Sequence, residues 1–180
     1  MLNYLKKNKK LKVGILGGSF DPPHRGHLHI ANLAVKRLGL DYLIFIITER
    51  NPFKKKASIS LKNRLKLTKQ LVSKFKKKMK VEYLESNKKN KFSYYLIRNL
   101  LKININTSFY LIMGADCFIN FNKWYKWRKI GEISKIIIFD RIGFSNKALN
   151  CIAAKKLNKK AWYFYSEKKI NISSSKLRKI

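Results

Sequence analysis

Short apolar runs and longer stretches of helical spacing alternate along the chain. Val13, Ile15 and Leu16 form the first run, a buried strand that exits through Gly17 and Gly18. A helix is expected from Arg25, just past Pro22 and Pro23. From His27 to Leu38 the apolar residues Leu28, Ile30, Ala31, Ala34, Val35 and Leu38 keep helical spacing until Gly39 stops it. Asp41 to Thr48, DYLIFIIT, is too continuously apolar to face water on either side and predicts a strand covered on both faces. Ser60 is placed to cap a helix running to about Phe75, with Leu61, Leu65, Leu71 and Val72 inward. Further strands are expected at Lys80 to Leu84, Phe109 to Met113 with its end at Gly114, Lys135 to Asp140, and Trp162 to Tyr165. Helices are expected at Tyr94 to Lys102 and Asn146 to Leu157, and a last helical turn is opened by Ser173 to Ser175.

This alternation specifies an α/β fold, Rossmann-like and doubly wound, with a mostly parallel sheet and helices on both faces. The length suits one domain over residues 1–180, with the basic residues 1–11 as a flexible N-terminal extension. Ligands in such sheets sit beyond the C-terminal ends of the strands, where the Gly17 turn, Thr48, Gly114 and Arg141 all fall. No apolar run approaches the ~18 to 20 residues that cross a membrane, and the basic start lacks the apolar stretch of a signal peptide, so a cytoplasmic location is expected. Cys117 and Cys151 match no zinc spacing and are read as reduced, partly buried thiols.

Charge changes the picture less than its size suggests. The net charge is +33, but 34 of the 42 basic residues are lysine, spread in scattered runs. Lysines scattered over solvated positions do not make the clustered arginine and interleaved aromatics of a groove that reads nucleic acid. Weak binding to polyanions at low salt is expected, and no specific nucleic-acid partner.

The chemistry concentrates in VGILGGSFDPPHRGHLH, residues 13–29. Glycines at the exit of a strand let oxygens approach bare backbone N–H groups, and the following helix start adds unpaired donors and a partial positive charge. That combination is a phosphate site. All three histidines, His24, His27 and His29, lie here. By residue type alone, His24 and His27 are helix-start residues making local bonds, two ligands of a metal at i and i+3, or donors to a phosphate. Neither the Gly-x-x-x-x-Gly-Lys-Ser/Thr loop nor Gly-x-Gly-x-x-Gly is present, which argues against a P-loop ATPase and a simple dehydrogenase.

The stretch GGSFDPPHRGH resembles the signature of the His/Thr-x-Gly-His nucleotidyltransferases. Asn51-Pro52-Phe53-Lys54, Met113-Gly114-Ala115-Asp116, Trp124-Tyr125, Asp140-Arg141 and Ile172-Ser173-Ser174-Ser175-Lys176-Leu177-Arg178 narrow the resemblance to bacterial nicotinate-nucleotide adenylyltransferases, from residue 13 to 178. The resemblance implies adenylyl transfer from ATP to nicotinate mononucleotide, with magnesium accompanying ATP. It implies that His24 and His27 act on the α-phosphate beside Gly17, Gly18, Ser19 and Phe20. Asp116 would reach the adenosine ribose, and Ser174, Ser175 and Arg178 would hold the departing phosphates. Trp124 would lie against the pyridine ring with Tyr125 beside it, Tyr94 would line that pocket, and Lys54 and Arg141 would supply charge to the acceptor. His29 lies outside the signature and is read as a surface or packing residue. Asp21 is read either as a contact to hydrated magnesium or as a turn former.

Several positions depart from that pattern. Phe53 stands where histidine is common, Tyr95 where threonine follows Ser93-Tyr94, and Ile142 where proline follows the arginine; the chain also ends two residues after Arg178, where the family usually continues into a further helix. The first three touch the acceptor side, so adenylyl transfer to nicotinamide mononucleotide or another phosphorylated acceptor is the nearest alternative. A basic nucleic-acid-binding α/β protein is the alternative of another class. Oligomeric state is not legible in the sequence.

Overall fold

The computed structural model describes residues 2–5, 10–49, 57–84 and 93–166. Six strands, β1 (Lys12–Gly18), β2 (Tyr42–Ile47), β3 (Met79–Glu82), β4 (Ser108–Gly114), β5 (Lys135–Phe139) and β6 (Trp162–Tyr165), form one sheet in the order β3-β2-β1-β4-β5-β6. Every neighbouring pair is parallel. Chain direction across the sheet reverses between β1 and β4, which opens a crevice at their C-terminal ends.

β2 shows why its run is apolar throughout. Side chains alternate between faces, so Ile44 and Ile46 enter one buried cluster while Leu43, Phe45 and Ile47 enter the other. The second cluster is covered by α1 (Arg25–Leu38) and α2 (Leu61–Leu71), and the first by α3 (Ser93–Ile103), α4 (Ala115–Phe118) and α5 (Trp127–Ile133). Gly39 closes α1 in the left-handed region (φ 60°), its N–H bonded to the carbonyl of Val35.

Four features differ from the sequence reading. The helix expected over Asn146 to Leu157 is two short ones, α6 (Ser145–Leu149) and α7 (Ile152–Lys156). Cys151 is extended between them, and its Sγ accepts the N–H of Ala154. Residues 115–134, which carry little periodicity, form α4, a 3₁₀ turn at Phe121–Lys123 and α5. The N-terminal segment is docked where it is described: Leu2 and Leu5 are buried, Asn104 donates to the carbonyl of Leu5, and the Tyr4 hydroxyl donates to Glu82. Burial, reinforced by Glu82, pushes the Tyr4 phenol far above its ordinary range. On α2 the fully covered side chains are Arg64 and Thr68, with Leu61 and Leu65 only partly buried.

Candidate active site

The turn between β1 and α1 is held from several directions. Ser19 leads into Phe20, whose ring is buried among core residues and whose backbone is left-handed (φ 47°), unusual for a bulky residue. Asp21 is also buried. Its carboxylate accepts the backbone N–H groups of Ser58 and Ile59 and the Ser58 hydroxyl, which ties the turn to the segment before α2.

His24 is the N-cap of α1, and its backbone N–H donates to Nδ1 of His27 at 3.2 Å. A ring nitrogen that accepts carries no proton, so neutral His27 keeps its hydrogen on Nε2 as a donor. The two imidazoles stack with centroids 3.8 Å apart, and the edge of Phe20 meets His27 at 4.8 Å. Two histidines at i and i+3 thus share one face of a helix start, beside the glycine exit of β1. His29 is partly buried.

β4 ends at Gly114, the N-cap of α4. A Cβ there would meet Oδ1 of Asp116 at 2.6 Å, so only glycine lets that carboxylate fold back over the strand end. Asp116 is ion-paired with Arg141, which follows β5, and each side chain is about one-third exposed. Asp116, assigned by resemblance to a ribose, is therefore engaged by Arg141 in this form. Arg141 is correspondingly turned to Asp116 and stacks over Phe144.

A cavity at the strand ends brings distant parts of the sequence together. Its walls include Gly17 from β1, Thr48 after β2, Ser93 at the start of α3, Met113 from β4, and Cys117 and Trp124. Trp124 packs against Phe121 at 5.2 Å and also lines this cavity. Trp127 meets Phe121 edge-on and carries Arg128 over its ring. A broader, open depression over α2, lined by Lys62, Leu65, Lys66, Lys69, Gln70 and Ser73, gathers no comparable chemistry.

Tyr125, next to Trp124 in the chain, belongs to a group of three tyrosines. It stacks on Tyr95 at 5.4 Å with the two hydroxyls 3.0 Å apart, and Tyr94 meets both rings edge-on. Lys126, left-handed at φ 50°, places its ammonium 5.2 to 5.9 Å from all three rings. The shared hydrogen bond holds the Tyr95 phenol above its ordinary value and the Tyr125 phenol below it, as when Tyr95 is the donor.

The residue the sequence reading passed over is Arg64. It is 2% exposed, and its guanidinium donates to the carbonyls of Ser19 and Thr48 (2.7 Å each), Ile59 (3.0 Å) and Glu49 (3.2 Å). Its place on the inward stripe with Leu61, Leu65, Thr68 and Val72 was available, and so was its being arginine in a chain where 34 of the 42 basic residues are lysine. Lys54, Ser174, Ser175 and Arg178 lie outside the described residues, as does Phe53.

Comparison with known proteins sets this arrangement in context. The cytidylyltransferase-like family model matches residues 15–180. A probable nicotinate-nucleotide adenylyltransferase of Pelagibacter ubique is 44% identical over 172 residues, 96% of this chain and 94% of that protein. The corresponding protein of Agrobacterium fabrum is 33% identical, covering 92% of this chain and 97% of that one. Among solved structures, a nicotinic acid mononucleotide adenylyltransferase of Plasmodium falciparum, complexed with NaAD, superposes with a TM-score of 0.76 at 22% identity, over 94% of this chain and 83% of that one. At that identity the likeness speaks for the fold.

Proposed function

Because the chain belongs to the nicotinate-nucleotide adenylyltransferase family, we propose that its β1–β4 crevice joins ATP to nicotinate mononucleotide. The 5′-phosphate oxygen of the mononucleotide forms a bond to the α-phosphorus of ATP. The bond from that phosphorus to the bridging oxygen of the β-phosphate breaks, and pyrophosphate leaves with the electron pair. The product is nicotinate adenine dinucleotide. A phosphate nucleophile is already anionic at neutral pH, so the site needs no general base. Its work is to align two polyanions and spread the developing charge.

The observation that carries this reading is the meeting of Gly17 and Trp124 in one cavity, with the stacked histidines at the start of α1 following the same strand exit in the chain. Backbone N–H groups of the turn from Gly18 to Phe20 and the Nε2–H of His27 face the α-phosphate, with His24 on the same helical face. Trp124 offers an aromatic surface to the pyridine ring. Asp116 takes the adenosine ribose once Arg141 turns from it to the acceptor's charge. Lys54 serves the acceptor, and Ser174, Ser175 and Arg178 the leaving pyrophosphate.

For magnesium, the carboxylates at the site are already engaged, Asp21 by Ser58 and Ile59 and Asp116 by Arg141. That donor set suits an ion carried in on ATP phosphate oxygens and water, where it offsets phosphate charge. Among the described residues no helix is long and apolar enough to cross a membrane. A cytoplasmic location is part of this proposal.

The test is pyrophosphate release from ATP and magnesium with nicotinate or nicotinamide mononucleotide as acceptor. Faster release with the acid is the expected result. Preference for the amide would keep the chemistry and overturn the acceptor, and release with neither would overturn the function.

A further inference from the structure

We infer that Arg64 is a positioning residue for adenylyl transfer, a buried guanidinium that sets the phosphate-facing backbone without touching substrate. The inference rests on the adenylyltransferase reading and adds to it a residue with no place in the signature motifs.

Arg64 projects from the first turns of α2 into the base of the crevice. A single nitrogen, Nη1, donates to both Ser19 and Thr48, the residues just past the ends of β1 and β2. Nε takes Ile59 and Nη2 takes Glu49. Among the described residues its hydrogen-bond partners are thus four backbone carbonyls, and no carboxylate lies within ion-pair distance. A planar, five-donor fork suits four carbonyls arriving from three segments of the chain, and an ammonium does not.

Gripping these carbonyls has a geometric consequence. In a trans peptide the C=O and the following N–H point in opposite directions. Holding the Ser19 carbonyl toward Arg64 turns the Phe20 N–H away from it, and holding Thr48 does the same for Glu49. Phe20 has a left-handed backbone, which persists only where surroundings over-determine it. Its ring is clamped by Phe45 and His27, and its preceding carbonyl by Arg64. The same Phe20 ring orients His27. Arg64 therefore acts on the α-phosphate at one remove, through the donor direction at Phe20 and the pose of His27. Thr48 is a wall of the cavity, so the one guanidinium registers the phosphate turn against the acceptor side.

The test compares Arg64→Lys with Asn104→Ala. Asn104 is also buried and bonds the Leu5 carbonyl at the opposite end of the sheet, so it reports the effect of lost stability alone. At a temperature well below both thermal midpoints, Arg64→Lys is expected to lower kcat about 10- to 100-fold with the mononucleotide KM within about twofold, while Asn104→Ala keeps kcat. A wild-type kcat in folded Arg64→Lys, or an equal loss in both variants, would overturn the inference. Should Arg64→Lys not fold, hydrogen exchange in the wild-type protein decides. A non-hydrolysable ATP analogue with magnesium should slow exchange of the Phe20 amide at least tenfold, and an unchanged amide would overturn the inference. That protection, together with analogue affinity, is read without turnover. If the wild type releases no pyrophosphate with either acceptor, the function reading fails separately from the Arg64 inference.

Discussion

Gly17 and Trp124 line the same cavity, and the two walls they lead into, the turn after β1 and the aromatic group around Trp124, are built by different means. The turn is fixed through backbone: Asp21 binds the N–H groups of Ser58 and Ile59, Arg64 binds the carbonyls of Ser19 and Thr48, and His27 binds the N–H of His24. The other wall is fixed by side chains on one another, Tyr125 on Tyr95, Lys126 over three tyrosines, Trp124 on Phe121 and Arg141 on Asp116. A backbone-held site is ready before its ligand arrives and depends on a few special residues. A site held by mutual side-chain contacts has to exchange those contacts for a ligand, and it tolerates substitution. Among the described residues, one departure from the family pattern, Tyr95, falls on the second wall, where it stacks on Tyr125.

The largest effect expected from breaking the first wall is His27→Ala. Removing a donor pre-aimed at developing phosphate charge should lower kcat by about 10² to 10³, with KM values for both substrates little changed. Steady-state kinetics over both substrates checks this. Turnover near that of the wild type would mean that the stacked pair is only a helix cap. On the second wall the expected change is smaller and of another kind. Trp124→Ala should raise KM for the mononucleotide about tenfold and leave KM for ATP in place, because a ring-stacking contact is worth ~0.5 to 1.5 kcal/mol beyond its buried area. Equal rises in the two KM values would show that Trp124 only supports the core through Phe121.

The same contrast explains what was legible beforehand. The sheet was, because the inner strands β1, β2, β4 and β5 are largely apolar runs with buried residues, as β2 shows, and because glycines mark the exits at Gly18 and Gly114 and the helix end at Gly39. The phosphate turn was, because glycine, proline and histidine at fixed spacing leave few alternatives for the backbone. Residues 115–134 were not: α4 and α5 are four and seven residues long, too short to show periodicity. The break at Cys151 was not, since a thiol acting as an N-cap has no sequence signature of the kind serine has. Arg64 was passed over because one inward polar position on an amphipathic helix is easily assigned to solvent. The Asp116–Arg141 pair joins residues 25 apart through the ends of β4 and β5, and only their placement reveals it.

The smallest effect belongs to the tyrosine pair, and it tests whether the second wall is held as described. The hydrogen bond between the two hydroxyls lowers Tyr125, with Lys126 adding to the effect, and raises Tyr95. With ordinary tyrosine near 10, a depressed group contributes stability above its unfolded value, and that contribution is lost as pH falls through its folded value. A raised group contributes below its unfolded value and loses it as pH climbs through its folded one. The two contributions have opposite signs and both lie in the alkaline range, so neither moves stability between pH 6 and 8. Alkaline titration of tyrosine absorbance should show one phenol ionising ahead of the rest. Tyr95→Phe removes the hydroxyl partner and should move that first step upward, toward the ordinary value, while kcat at neutral pH stays within about twofold. A first step that stays where it was would mean that Lys126 alone lowers Tyr125, and that the contact between the two rings does not tie α3 to the segment carrying Trp124.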